Sequence, residues 1–200
     1  MKILVINNYK EPEKAKEALH NIGLCTDLRP EMLDYTTSRL HDVVLQKDPD
    51  IVILTGSNFM LSKPDTRMVF QPEMDLVREL DLPILGICFG HQLIGAAYGS
   101  KVEDLGHNIR EFKEVRLIGE DPLFDGLPGS IRVSESHRQA IVSVPEEFRH
   151  LAASATSQVE AIGHKSRPIY GVQFHPERSD EKRPHGRIII QNFLKLAAKS

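Results

Sequence analysis

Thiols are scarce in this chain. Among 200 residues only Cys25 and Cys88 are cysteines, which gives no disulfide framework; with a reactive thiol among them, a reducing compartment is expected. A strong charge of either sign is missing too. The formal net charge of −3 offers no electrostatic case for nucleic acid or an anionic membrane as a partner. No apolar run reaches membrane-spanning length, and the apolar start Ile3-Leu4-Val5-Ile6 gives way at Asn7-Asn8 too soon for a secretory signal. A cytoplasmic location is therefore expected. The sequence has no internal repeat, low-complexity tract, phosphate loop or metal-ligand spacing, so neither a cofactor nor a metal is expected. What remains is ordinary for a globular protein, 40% hydrophobic and 26% charged, and the length suits a single domain over residues 1–200 with a sizeable core.

Against that plain background one stretch stands apart. Ile84-Leu85-Gly86-Ile87 leads into Cys88-Phe89-Gly90-His91-Gln92, followed by the helix-compatible Leu93-Ile94-Gly95-Ala96-Ala97-Tyr98. Apolar run, Gly-x-Cys-x-Gly and helix describe a buried strand, a sharp turn and a helix, with the thiol at the turn. Small flanking residues allow the strained elbow that lifts a nucleophile clear of its sheet. At a helix N-terminus, unpaired N–H groups and the dipole favour a thiolate.

A thiol nucleophile needs a base, and Tyr170-Gly171-Val172-Gln173-Phe174-His175-Pro176-Glu177 offers one. Its alternating first half reads as a strand, with His175 at the strand end. Residues i and i+2 of an extended chain point to one side, so Glu177 can accept from the His175 ring and fix its tautomer. Cys88, His175 and Glu177 then stand as nucleophile, base and orienting carboxylate.

The rest of the chain supplies the frame. Strands are expected at 2–7, 24–29, 50–54 and 82–87, and helices at about 12–21, 35–47 and 65–80. Such alternation argues for an α/β fold with a doubly wound, mostly parallel sheet and helices on both faces. Ligands in such sheets bind at the carboxyl ends of the strands. Thr55-Gly56-Ser57-Asn58, Cys88 and Asn7-Asn8 should therefore converge. From 101 to 174 short alternating runs (112–118, 131–134, 140–144, 151–155, 169–174) read as an antiparallel extension of the same sheet. The charged stretch Arg178–Arg187 reads as a loop, and 187–199 as an amphipathic helix.

Gly-Ile-Cys-Phe-Gly-His-Gln together with Gly-Val-Gln-Phe-His-Pro-Glu resembles the class I, triad-type glutamine amidotransferase domain, a flavodoxin-like fold, over essentially the whole chain. The resemblance implies that Cys88, His175 and Glu177 hydrolyse the side-chain amide of glutamine through a glutamyl-thioester. It implies backbone oxyanion donors around Gly56 and Ser57 and at Phe89, and substrate contacts from Gln92, Ser136 and His137. It also implies that ammonia passes to a separate ATP-dependent synthetase subunit.

Free-standing glutaminase subunits of GMP synthetase are the members this chain most resembles, with the ATP-pyrophosphatase chain of GMP synthetase as the implied partner. Two stretches depart from that pattern. Asn7-Asn8-Tyr9-Lys10 stands where such subunits carry Asp and a Gly-Gly-Gln-like stretch, and Arg178 stands where they place a valine after His-Pro-Glu. Ser57 also replaces the second of two glycines common in the oxyanion loop. Two other readings fit the same residues: a stand-alone hydrolase of γ-glutamyl bonds, and a non-catalytic module that keeps only the fold.

Overall fold

Ile51-Val52-Ile53-Leu54 and Ile84-Leu85-Gly86-Ile87 are buried at every position, as is Ile3-Leu4-Val5-Ile6-Asn7. Strands apolar on both faces must be covered on both faces, and the computed structural model, which describes residues 1–199, supplies that cover. In chain order the elements are β1 (Ile3–Asn7), α1 (Pro12–Thr26), β2 (Glu31–Asp34), α2 (Leu40–Lys47), β3 (Ile51–Leu54), α3 (Pro64–Val69) and α4 (Gln71–Glu79). They continue with β4 (Ile84–Ile87), α5 (Phe89–Ala97), β5 (Val102–Leu117), β6 (Ser130–Ile141), β7 (Phe148–Ala153), β8 (Ala161–His164), β9 (Ile169–Val172) and α6 (His185–Ala197).

One sheet runs in the order β2-β1-β3-β4-β9-β8-β7-β5-β6. From β2 to β9 the pairings are parallel, and beyond β9 they are antiparallel. Side-chain alternation sorts the core into two layers. Ile3, Val5, Ile51 and Ile53 face Ile22 and Cys25 of α1 and Ile189, Ile190 and Phe193 of α6. Leu4, Ile6, Val52 and Leu54 face Val44 of α2, Val77 of α4, and Leu93 and Ile94 of α5. The expected doubly wound sheet with helices on both faces and an antiparallel extension is what forms.

Several expected boundaries move. Residues 24–29 are not a strand. Helix α1 continues through Gly23 to Thr26 and stops at Asp27, whose left-handed conformation (φ 57°) ends it. The second strand lies later, at Glu31–Asp34, where its ends are exposed; as an edge strand paired only with β1 it needs no apolar run. Helix α2 begins at Leu40 rather than Tyr35, after a turn in which Thr37 N–H donates to the Asp34 carbonyl. The expected helix over 65–80 is two helices broken at Phe70, because Pro72 lacks an N–H and can sit only in the first turn of a new helix. In the antiparallel part, residues 140–144 form no strand of their own; Ala140 and Ile141 end the long β6. Strand β8 was not expected. Among the described residues no helix is long and apolar enough to cross a membrane.

Candidate active site

Cys88 sits between β4 and α5 with φ 53° and ψ −98°, a backbone conformation that costs a non-glycine residue of order 1–3 kcal/mol. The neighbours explain how it is held. Its N–H donates to Val172 O at 2.8 Å, its carbonyl accepts from Gln92 N–H at 3.1 Å, and Gly90 N–H donates to Thr55 O at 3.2 Å. The flanking glycines are needed for close approach: a Cβ on Gly86 would lie 2.6 Å from Gly90 backbone atoms, and one on Gly90 would lie 2.6 Å from Leu54 O. The elbow read from sequence is therefore built by packing β4 and α5 against each other and α5 against the end of β3.

His175 and Glu177 meet as expected. Nδ1 of His175 is 2.7 Å from Oε1 of Glu177, and both side chains are buried. Strand β9 ends before His175, and Pro176–Arg178 forms a single 3₁₀ turn, so the proline aims both side chains back over the sheet. Burial alone would lower the His175 pKa, but the Glu177 carboxylate and the Cys88 sulfur outweigh it and raise it to about 9. Burial likewise pushes the Glu177 carboxyl up, yet its contact with His175 holds it below its usual value. The two opposite shifts describe an imidazolium–carboxylate pair. With Nδ1 engaged, Nε2 is the ring nitrogen left to serve the sulfur.

The loop after β3 closes the other side. Ser57 turns its hydroxyl away, donating to Asn8 O at 2.6 Å and accepting from Phe59 N–H at 3.0 Å. It is not among the residues with positive φ, so a side chain is accommodated there without strain. Among the described residues the N–H groups of Gly56 and Ser57 have no protein partner, and the N–H of Phe89, in the first turn of α5, has no helical one. A Cβ on Gly56 would lie 2.8 Å from Cε1 of His175 and 2.6 Å from the Tyr9 hydroxyl; only glycine lets this loop approach the imidazole. Beneath it Asn8 joins Thr55 Oγ1 (2.8 Å) to the buried Glu73 carboxyl (2.9 Å). Burial raises Glu73 to about pKa 8 despite the Asn8 hydrogen bond.

A thiol on a strained elbow, an aligned imidazole–carboxylate pair, and backbone donors on the loop after β3 and in the first turn of α5 make a site suited to acyl transfer. The family model for class I glutamine amidotransferases matches residues 4–197. The chain belongs to that family. A glutamine-hydrolysing GMP synthase subunit from Pyrococcus abyssi is 44% identical over the full length of both chains. Its counterpart from Methanosarcina barkeri is 36% identical over the whole of this chain and 98% of its own. A solved structure from Thermoplasma acidophilum, described provisionally as a GMP synthase subunit, superposes with a TM-score of 0.80 at 30% identity, covering this whole chain and 94% of its own.

In this amidotransferase the residues read as substrate contacts line a cavity of about 240 Å³ beside the thiol, bordered by Ser57, Cys88, Phe89, Gln92, Ser136 and His137. The Ser136 carbonyl lies 3.7 Å from the Cys88 sulfur. Gln92 spends its amide nitrogen inside the protein, on Gln139 O (2.7 Å) and Gln173 Oε1 (3.1 Å). His137 is tied to Gln139 O and Glu135. His175 and Glu177 border a second cavity of about 500 Å³, which shares Ser57, Ser136 and Arg110 with the first.

Gln173 was not singled out from sequence. Its amide nitrogen lies 3.6 Å from the Cys88 sulfur. It lies two residues before His175 on an extended chain, so the same period-2 argument that brought Glu177 into the site would have found it. The two stretches that depart from the GMP synthetase pattern also meet here. The buried Tyr9 and Arg178 border the same larger cavity, and Arg178 Nε is 3.8 Å from Glu177 Oε1.

Proposed function

We propose that this chain is the glutaminase subunit of a two-chain amidotransferase, hydrolysing glutamine to glutamate and ammonia. The Cys88 sulfur attacks the side-chain amide carbon, and the developing oxyanion is met by the N–H of Phe89 and those around Gly56 and Ser57. His175, held by Glu177, protonates the nitrogen as the C–N bond breaks. Ammonia leaves and a glutamyl-thioester remains on Cys88. His175 then takes a proton from water, whose oxygen attacks the thioester carbon, and glutamate departs as the sulfur is released. The cavity beside Gln92, Ser136 and His137 takes the amino-acid end of the substrate.

The observation that carries this reading is the 2.7 Å His175–Glu177 contact beneath a thiol on a strained elbow. It is tested by intact-mass labelling with a diazo-ketone analogue of glutamine. One adduct at Cys88, suppressed by glutamine, is expected; labelling elsewhere or insensitivity to glutamine refutes the assignment.

Ammonia goes to a separate ATP-dependent synthetase, for which the ATP-pyrophosphatase chain of GMP synthetase is the candidate. Full-length similarity to glutamine-hydrolysing GMP synthase subunits supports this choice. Copurification with a different synthetase, and no glutamine-dependent GMP formation with the ATP-pyrophosphatase chain, would refute it. A cytoplasmic location fits a free catalytic thiol.

A further inference from the structure

A second group of buried ionisable side chains joins the two cavities: Glu135 on β6, which borders the larger, His137 on β6, which borders the smaller, and Glu160 just before β8. Their nitrogen and oxygen atoms come within 4.8 Å of one another. Counting protons shows what holds them. His137 Nδ1 lies 3.0 Å from the Gln139 carbonyl, which only accepts, so Nδ1 carries a proton. Nε2 lies 3.2 Å from Glu135 Oε2. That contact is attractive only with a further proton in it, which makes the ring an imidazolium or Glu135 an acid.

The two carboxyls pose the same question. Glu160 Oε1 accepts from Ser154 Oγ at 2.7 Å, and Glu135 Oε2 accepts from Thr156 Oγ1 at 3.2 Å. The remaining oxygens, Glu160 Oε2 and Glu135 Oε1, are sealed from solvent without a partner. Among the described residues no lysine or arginine pairs with either group, and His91 on the neighbouring α5 is held neutral by burial, its pKa lowered to about 3. Two adjacent buried carboxylates cannot both stay charged. One proton shared between the two carboxyls removes that conflict, their oxygens lying within 4.8 Å, and burial together with Glu135 raises Glu160 well above the usual range.

We propose that Glu160 is a neutral acid donating its proton to Glu135, and that the chain Glu160–Glu135–His137 forms a set of positioning residues for the thiol and the base. Glu135 lies between Ser134, whose carbonyl accepts from His175 N–H at 2.8 Å, and Ser136, whose carbonyl faces the Cys88 sulfur. The Glu160 carbonyl accepts from Gln173 N–H at 2.8 Å, and the Gln173 side chain reaches Cys88. A single proton therefore cross-links the two backbone segments that hold the sulfur and the imidazole in register. The positioning role rests on the glutaminase reading above; the protonation does not.

The test separates the two. An infrared difference spectrum between the wild-type chain and Glu160→Gln at neutral pH should contain the carbonyl stretch of one buried carboxylic acid. Its absence overturns the proposal whether or not the chain hydrolyses glutamine. In glutaminase assays Glu160→Gln, which keeps a donor toward Glu135, should remain close to wild type. Glu160→Met, of similar volume without a donor, should lose roughly 10- to 100-fold in kcat/KM, the effect of orphaning a buried acceptor. Equal loss in both variants, or equal activity, overturns the positioning role. The same three side chains would also suit a divalent cation; a stoichiometric metal that survives chelation in the purified protein overturns the shared proton.

Discussion

His175 and Arg178 converge on one oxygen of Glu177. The imidazole Nδ1 lies 2.7 Å and the guanidinium Nε 3.8 Å from Oε1, while Oε2 is buried without a partner. The carboxylate is thus shared between a tight, buried contact and a longer one to a guanidinium about a third exposed. The first should matter far more than the second. Glu177→Gln is expected to lower kcat/KM for glutamine by about 100-fold or more, a typical cost of losing aligned acid–base catalysis. Arg178→Gln should cost less than about tenfold, an exposed ion pair contributing about 1 kcal/mol at most. Steady-state kinetics on the two variants check the ranking.

The raised imidazole also marks stability. A histidine whose folded pKa is about 9 against an ordinary 6.5 contributes stability in full below about pH 6.5 and loses it as the pH rises through about 9. The melting temperature of the wild-type chain minus that of His175→Gln should shrink across that window. A difference constant from pH 6 to pH 10 would contradict the imidazolium–carboxylate pair.

Gly56 leads to a paired prediction. Its missing Cβ leaves room for the Tyr9 hydroxyl and His175 Cε1. Gly56→Ala should push the imidazole out of line and lower kcat by tenfold or more, since small misplacements at a reacting centre cost on the order of 100-fold. Tyr9→Phe removes the nearer of the two obstructing atoms. The double variant should recover part of the loss, read as a coupling in a double-mutant cycle; strict additivity would mean the collision is relieved elsewhere.

Glu73 is a carboxyl raised to about pKa 8 by burial. The sign is the reverse of a salt-bridged acid. Its proton is held more tightly folded than unfolded, so stability falls as the pH rises from about 4.5 through about 8. Glu73→Gln keeps the shape and removes the ionisation. It should leave the melting temperature near wild type at pH 5 and raise it by several degrees at pH 8.5, about 2–4 °C corresponding to each kcal/mol in a chain of this size.

How much of this was legible in the sequence depended on whether a residue's role was carried by local pattern. The elbow and the His-Pro-Glu turn were readable because strain, small residues and period-2 alternation leave marks within ten residues. Strands β1, β3 and β4 were readable because burial on both faces demands an unbroken apolar run. Strand β2 carried no such mark, being an edge, and the end of α1 was hidden because Asp27, not Gly23, took the left-handed cap. Strand β8, Ala161-Ile162-Gly163-His164, is too short and too rich in small residues to declare itself; it exists because β7 and β9 hold it on both sides. Glu135 and Glu160 are 25 positions apart and acquire meaning only once the Ser134–His175 bridge and the Gln173–Glu160 backbone hydrogen bond bring β6 and the residues before β8 to the same segment.

The sheet order has a consequence for how this molecule is made. Strand β9, which carries the chain into His175, inserts between β4 and β8 although it is the last strand in the chain. A nascent chain emerging from the ribosome therefore exposes Cys88 long before His175 and Glu177, and the vacant edge of β4 must wait until β9, more than eighty residues further on, has been made. Translation itself then works as a time lock under the proposed mechanism: hydrolysis waits until residues 169–177 have been made, and a fragment that stops before them carries a thiol without a proton carrier.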